Sequence, residues 1–126
     1  MNLFKLDKTE TTPEILFDPG KQLFYIRGNS RPENVSDLFY PIVEWVNDYR
    51  LFLFNNSPND YTEDEPLILE IDLEYFNSSS AKYLFDVIIA FKQIKAYGVP
   101  LEIAWLYDKE DIDMKEAGED MAILAD

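Results

Sequence analysis

The clearest pattern of apolar and polar positions runs through the segment LILEIDLEY, residues 67–75. Apolar residues occupy every second position from Leu67 to Tyr75, and Glu70, Asp72 and Glu74 lie between them. Because successive side chains of a strand point to opposite faces, the pattern predicts one buried face and one wet, negatively charged face. A sheet covered on both faces would favour continuous apolar strands, so the alternation also predicts that one sheet face is open.

Two further segments predict strands. EILFDPGKQLFYIRG predicts a β-hairpin with strands at about Glu14–Phe17 and Gln22–Arg27. Pro19 suits the second position of its turn, where φ is near −65°, and Gly20 suits the third, where φ is positive. PLEIAWLY, residues 100–107, again alternates and predicts a strand near the end of the chain.

Helical spacing marks the segment GNSRPENVSDLFYPIVEWVNDYR as a first helix, with apolar residues three or four positions apart from Val35 to Tyr49. Ser30 and Glu33 have the spacing of a capping box. Pro41 predicts a kink or a break, because its ring clashes with the carbonyl four residues earlier. The polar segment that follows, residues 54–66, is predicted to be a flexible loop.

A second helix is predicted over Ser79–Tyr97, with Gly98 and Pro100 as stop signals. Its apolar residues do not form a single stripe. Such a helix is either buried on several sides within the domain or meets a partner, and both alternatives are open. The acidic segment DKEDIDMKEAGEDMAILAD predicts a third helix, with a break near Gly118.

These elements follow the order β-β-α-β-α-β-α. The last βαβ unit implies a parallel strand pair with a right-handed crossover. We therefore expect an α/β fold in a single domain over residues 1–126, with a mixed sheet of about four strands and about three helices packed mainly on one face.

Composition then removes several classes of function. The chain has no cysteine and no histidine, which excludes disulfides, thiolate nucleophiles, Cys/His zinc sites and serine-histidine triads. Its net charge of −14 disfavours nucleic-acid and membrane-surface binding. No apolar run approaches the roughly 20 residues that span a bilayer, and the N-terminus lacks a signal-peptide pattern, so we expect a cytoplasmic protein.

The junction between the alternating strand and the second helix carries Asn77, Ser78, Ser79 and Ser80 in succession. One such residue suffices as an N-cap, so capping without further function is the simplest interpretation. The position is also suited to a phosphoryl group, because a helix N-terminus carries unpaired N–H donors and about half a positive charge. A phosphate there would add about 1.5 to 2 negative charges to any adjoining binding surface.

Four segments together resemble a known family: FDPGKQLFYIRGNSRPEN, FYPIVEWVNDY, LEYFNSSSAKYLFD and WLYDKEDIDMKEAGED. The strand, the serine turn and the helix are similar to the phosphorylation site of STAS domains, the anti-sigma-factor antagonists. The whole set, which covers most of the chain in order, resembles the SiaC-like regulatory phosphoproteins, whose fold is STAS-like.

The resemblance implies a partner switch rather than an enzyme, with no cofactor and no metal. A serine/threonine kinase would phosphorylate Ser78, and a metal-dependent serine/threonine phosphatase would remove the phosphate. The unmodified protein would bind and stimulate a diguanylate cyclase, which raises cyclic di-GMP and favours aggregation or biofilm. Family members usually have threonine at this position and this chain has serine, which leaves open which of Ser78, Ser79 and Ser80 is modified. Ser79 is the second candidate after Ser78.

The second helix and its neighbouring loops are the predicted partner surface, with Lys82, Tyr83 and Val87 as contact residues. Lys82 could pair with Asp86 four residues later, or contact a phosphate on Ser78. The sequence leaves both alternatives open.

Two other classes of function compete with the switch. The charge of −14 is also compatible with an acidic mimic of nucleic acid that occupies a basic protein groove. The carboxylates Glu70, Asp72 and Glu74, spaced about 7 Å apart along a strand, are compatible with a metal-dependent hydrolase. Asp108, Asp111 and Asp113 approach the spacing of a calcium loop, but the required glycine and terminal glutamate are absent.

Overall fold

The computed structural model describes residues 1–56 and 60–126, which form one mixed sheet and three helices. The strands are β1 (Phe4–Leu6), β2 (Glu14–Asp18), β3 (Leu23–Ser30), β4 (Leu67–Phe76) and β5 (Leu101–Trp105). The helices are α1 (Val35–Asn56), α2 (Ser78–Ala96) and α3 (Ile112–Ala125). The predicted α/β class is confirmed.

The sheet has five strands in the order β1-β2-β3-β4-β5, one more than expected. The first three are antiparallel, and β3, β4 and β5 are parallel. The additional strand, β1, has three residues, which is too short for alternation to be visible in the sequence. It becomes a strand because Phe4 pairs with Phe17 and Leu6 with Ile15, which places both residues on the apolar face of the sheet.

One face of the sheet carries the core and the helices, and the other is open, as the alternation in β4 predicts. The buried face is contributed chiefly by Ile15, Phe17, Phe24, Ile26, Leu67, Leu69, Ile71 and Leu73. On the open face Asp72 and Glu74 are exposed, and Glu70 accepts a hydrogen bond from Arg27 at 3.0 Å. The Arg27 guanidinium also lies 3.7 Å from the centre of the Tyr25 ring.

Tyr75 does not lie on the buried face, where the alternation had placed it. Gly28 pairs with Leu73, but the next residue, Asn29, pairs with Tyr75, so Glu74 is an extra residue in β4. Such a bulge reverses the alternation beyond it. Tyr75 is consequently 51% exposed.

The start of α1 differs from the predicted capping box. Ser30 is the last residue of β3 and is buried, and the helix begins at Val35. The side chain of Asn34 accepts a hydrogen bond from the backbone N–H of Asp37 at 3.1 Å and takes the capping role instead. The helix continues through Pro41 without the expected break.

The predicted loop over residues 54–66 is also partly wrong. Helix α1 extends to Asn56, so its first residues are helical, and residues 57–59 lie outside the described residues. Tyr61 is 5% exposed, and its hydroxyl lies 2.7 Å from that of Tyr49. Burial of this tyrosine pair fixes Tyr61 against α1.

Helix α2 packs against α1, α3 and the sheet. Of the two alternatives for its broad apolar surface, burial within the domain is therefore the one observed. Its buried apolar residues are Leu84, Val87, Ile88, Ala90, Phe91 and Ile94. They are covered within the domain itself. Helix α3 is unbroken at Gly118, where the expected break would lie. Within the described ranges no helix has the length and apolar character needed to cross a bilayer.

Candidate functional site

The turn between β4 and α2 is closed by Asn77. This residue has extended backbone angles (φ −84°, ψ 172°), and its side-chain oxygen accepts a hydrogen bond from the Ser80 backbone N–H at 2.9 Å. The geometry is that of an N-cap, so the predicted capping role within this turn is confirmed for Asn77. The three serines that follow occupy the first turn of α2 and are left for other roles.

The three serines differ in access and in hydrogen bonding. Ser80 is completely buried, whereas Ser78 and Ser79 are exposed. The Ser79 hydroxyl donates to the Asn77 side-chain oxygen at 3.1 Å. In the described part of the chain the Ser78 hydroxyl makes no hydrogen bond. Ser78 is therefore the serine whose oxygen is both accessible and unengaged.

The turn is anchored to the end of β3 by Ser30. The Ser30 carbonyl accepts hydrogen bonds from the Asn77 backbone N–H at 3.0 Å and from the Ser80 hydroxyl at 3.1 Å. The two serine hydroxyl oxygens lie 2.8 Å apart. Sequence reasoning missed Ser30 as part of this site and read it as a helix cap. Its partner lies 50 residues away, and no local pattern carries that information.

The surface beside the turn is formed by the first turns of α1 and α2. The Tyr83 hydroxyl lies 2.8 Å from that of Ser36, and its ring stacks on Phe39 with centroids 5.7 Å apart. Tyr40 meets the same ring edge-on at 6.1 Å and is 64% exposed. Tyr40 was not singled out from the sequence, because a helix pattern alone does not tell which aromatic residue lies outside the core.

Two of the three predicted contact residues reach this surface. Lys82 is exposed, with its ammonium 5.4 Å from the centre of the Tyr83 ring, and Tyr83 is half-buried. Within the described residues Lys82 forms no ion pair with Asp86. Val87 was a wrong choice for a contact residue. It is completely buried because it points into the core, so it offers no surface to a partner in this conformation.

The electrostatics of the turn favour an added anion. The first turn of α2 contains no acidic residue, although the chain as a whole carries a charge of −14. Unpaired backbone N–H groups and the positive end of the helix dipole lie at Ser78. A phosphoryl group on its hydroxyl would gain charge-assisted hydrogen bonds there, with Lys82 one turn further along the helix.

The strand carboxylates do not assemble into a comparable site. Glu70 is engaged by Arg27 through two hydrogen bonds, at 3.0 and 3.2 Å. In residues 1–56 and 60–126 no three acidic side chains come close enough to hold a metal ion. The turn at Ser78 is thus the better-organised candidate site.

Comparison with known proteins gives several matches to one family. The sequence profile of the SiaC family regulatory phosphoproteins matches residues 6–125. An uncharacterized protein of Pseudomonas aeruginosa strain UCBPP-PA14 is 30% identical over 112 residues, which cover 89% of this chain and 81% of that protein.

Solved structures agree with the sequence matches. Apo-SiaC from Pseudomonas aeruginosa has 28% identity and a TM-score of 0.75, with 95% of this chain and 93% of that chain covered. SiaC in the crystal structure of the diguanylate cyclase SiaD with its activator SiaC, from the same organism, has 27% identity and a TM-score of 0.77, with 95% and 90% covered. The chain belongs to the SiaC family of regulatory phosphoproteins.

Proposed function

We propose that this chain is a non-enzymatic partner switch, controlled by phosphorylation of Ser78, whose unmodified form binds and activates a diguanylate cyclase. The observation that carries the proposal is the difference among the three serines. Ser78 is exposed and its hydroxyl makes no hydrogen bond to any described residue, Ser79 is engaged by Asn77, and Ser80 is buried against Ser30. Ser78 also lies at a helix N-terminus, where a phosphate is stabilised.

Phosphorylation acts on the neighbouring surface through charge. Exposed Tyr40, half-buried Tyr83 and Lys82 form a mixed aromatic and basic patch beside Ser78. Aromatic residues of this kind supply much of the affinity of protein interfaces. A dianion at Ser78 would have to lose its hydration when a partner covered the patch, and that loss costs several kcal/mol. The modified form therefore binds weakly.

A relative whose complex has been solved supports the proposed target. SiaC of Pseudomonas aeruginosa is the activator in a complex with the diguanylate cyclase SiaD, and this chain has the same fold over 95% of its length. A cyclase target would connect the switch to cyclic di-GMP and to aggregation or biofilm. The reversible cycle also requires a serine/threonine kinase and a metal-dependent serine/threonine phosphatase, and it operates in the cytoplasm.

Mass spectrometry of the protein isolated from its own cells tests the modification directly. We expect a phosphate on Ser78 in a fraction of the molecules that varies with growth state. A phosphate only on Ser79, or none between Asn77 and Ala81 under any growth state, contradicts the proposal.

The target is tested separately by affinity purification with Ser78→Ala as the bait and Ser78→Asp as the matched control. A diguanylate cyclase enriched with the alanine variant supports the proposed target. Recovery of the same cyclase in equal amounts with both variants contradicts the switch.

A further inference from the structure

A second feature of the molecule is a cavity of about 270 Å³ between α2, β5 and α3. It lies along the C-terminal half of α2, whereas Ser78 begins that helix. Its lining includes Lys92, Lys95, Trp105, Met121, Ala122 and Asp126. Its volume is close to the lower end of the range found for small-molecule sites, about 300 Å³.

The cavity exists because α3 presents small residues to α2 and β5. Ala122 and Ala125 face it and leave a gap that larger side chains would fill, whereas Gly118 lies directly against the Trp105 ring. The opposite wall is the indole of Trp105, which is half-buried. Accessible apolar walls of this kind gain free energy when an apolar molecule displaces water from them.

Charged side chains lie at the rim of the cavity. The Lys92 ammonium donates to the Ala125 carbonyl at 2.8 Å and so ties α3 to α2. Lys95, one turn further along α2, is exposed and forms no ion pair within the described residues. Asp126 also lines the cavity, but its carboxylate lies beyond ion-pair distance of both lysines. Lys95 thus places an exposed ammonium at the edge of an apolar cavity.

We propose that this cavity binds a small amphipathic anion, with its apolar chain along Trp105 and Met121 and its carboxylate on Lys95. This proposal goes beyond the switch proposed for Ser78 and does not rest on it. Binding in the cavity would nevertheless reach that site, because Trp105 meets Phe76 edge-to-face, with centroids 6.0 Å apart. Phe76 is the residue immediately before the cap Asn77.

Tryptophan fluorescence tests the proposal with three probes of equal chain length. The chain has two tryptophans, so Trp45→Phe leaves Trp105 as the single reporter. Octanoate, octanol and octylammonium are titrated separately into this variant. We expect a saturable change in Trp105 emission, with octanoate binding most tightly. The absence of a saturable change with octanoate overturns the proposal, and so does tighter binding of octylammonium, which would assign the charge preference to Asp126.

Lys95→Gln in the same background tests the role of the ammonium. We expect octanoate to bind about two- to fivefold more weakly and octanol to be unaffected, since an exposed ion pair contributes a factor of this size. Lys115→Gln is the matched control, because it removes the same charge from an exposed residue that does not line the cavity. Equal weakening by both variants overturns the assignment to Lys95, and equal affinity for all three probes overturns the choice of an anion.

Discussion

The hydroxyl oxygens of Ser30 and Ser80 lie 2.8 Å apart in the core, although 50 residues separate them in the chain. Because Ser80 donates its proton to the Ser30 carbonyl, the Ser30 hydroxyl is the donor in the bond between the two oxygens. The pair joins the first turn of α2 to the end of β3. It holds the backbone beneath Ser78 in place and leaves the Ser78 hydroxyl at the surface.

Ser80→Ala is expected to lower the free energy of unfolding by about 1–3 kcal/mol, because a buried donor on Ser30 loses its acceptor. Urea denaturation measures the change. Ser79→Ala is the matched control and should cost less than about 0.5 kcal/mol, since its hydroxyl is exposed. The double variant Ser30→Ala with Ser80→Ala should cost less than the sum of the single changes. Additive costs would show that the two hydroxyls do not interact.

Ser78→Ala is expected to stay folded and to bind the target constitutively, whereas the form phosphorylated at Ser78 should bind at least about 100-fold more weakly. The factor corresponds to about 3 kcal/mol for desolvating the phosphate. Ser78→Asp should fall between the two, because it carries a single charge. Titration calorimetry with the purified cyclase measures all three. Ser79→Asp is the control for charge alone, and an equal loss there would contradict a specific role of Ser78.

Gly118→Ala is expected to displace α3. A Cβ atom at this position would lie 2.5 Å from Cδ1 of Trp105, closer than real contacts allow. The helix depends on this approach, because the Trp105 ring N–H donates to the Met114 carbonyl at 3.0 Å. We expect a loss of about 1–3 kcal/mol in stability, together with a red shift of Trp105 emission in the Trp45→Phe background. Glu116→Ala, exposed on the same helix, should leave both unchanged.

Stability should fall at alkaline pH because of the buried pair Tyr49 and Tyr61. Burial, and then the hydrogen bond to Tyr61, raise the pKa of Tyr49 far above its ordinary value, and burial raises the pKa of Tyr61. The unfolded chain releases these protons above about pH 10, while the folded chain keeps them. The contribution of the two protonated tyrosines to the free energy of unfolding is therefore complete below pH 10. Above pH 10 the free energy of unfolding decreases, by up to about 1.4 kcal/mol per pH unit for each tyrosine.

Urea denaturation between pH 8 and pH 11.5 measures this alkaline slope. In Tyr49→Phe the slope above pH 10 should be shallower, because one of the tyrosines with a raised pKa is removed. An identical slope in the wild type and the phenylalanine variant would rule out Tyr49 as a source of the pH dependence.

Local patterns in the sequence were enough to predict the class of fold and the position of the candidate site. Alternation from Leu67 to Leu73 depends on a two-residue repeat, so it reports the open face of the sheet without knowledge of any other strand. The cap at Asn77 is equally local, since its hydrogen bond spans three residues. The absence of cysteine and histidine restricts the available chemistry through composition alone.

Contacts between distant segments decided the rest. Strand β1 forms because Phe4 meets Phe17, and the exposure of Tyr75 follows from a bulge against Asn29. Val87 is buried because α1 and α3 flank α2, and Ser80 is buried because β3 brings Ser30 to it. The sequence pattern of a strand or helix predicts which of its faces is apolar, but not which other element packs against that face. The burial of Ser80, which leaves Ser78 and Ser79 as the exposed serines of this turn, was therefore decided by tertiary packing.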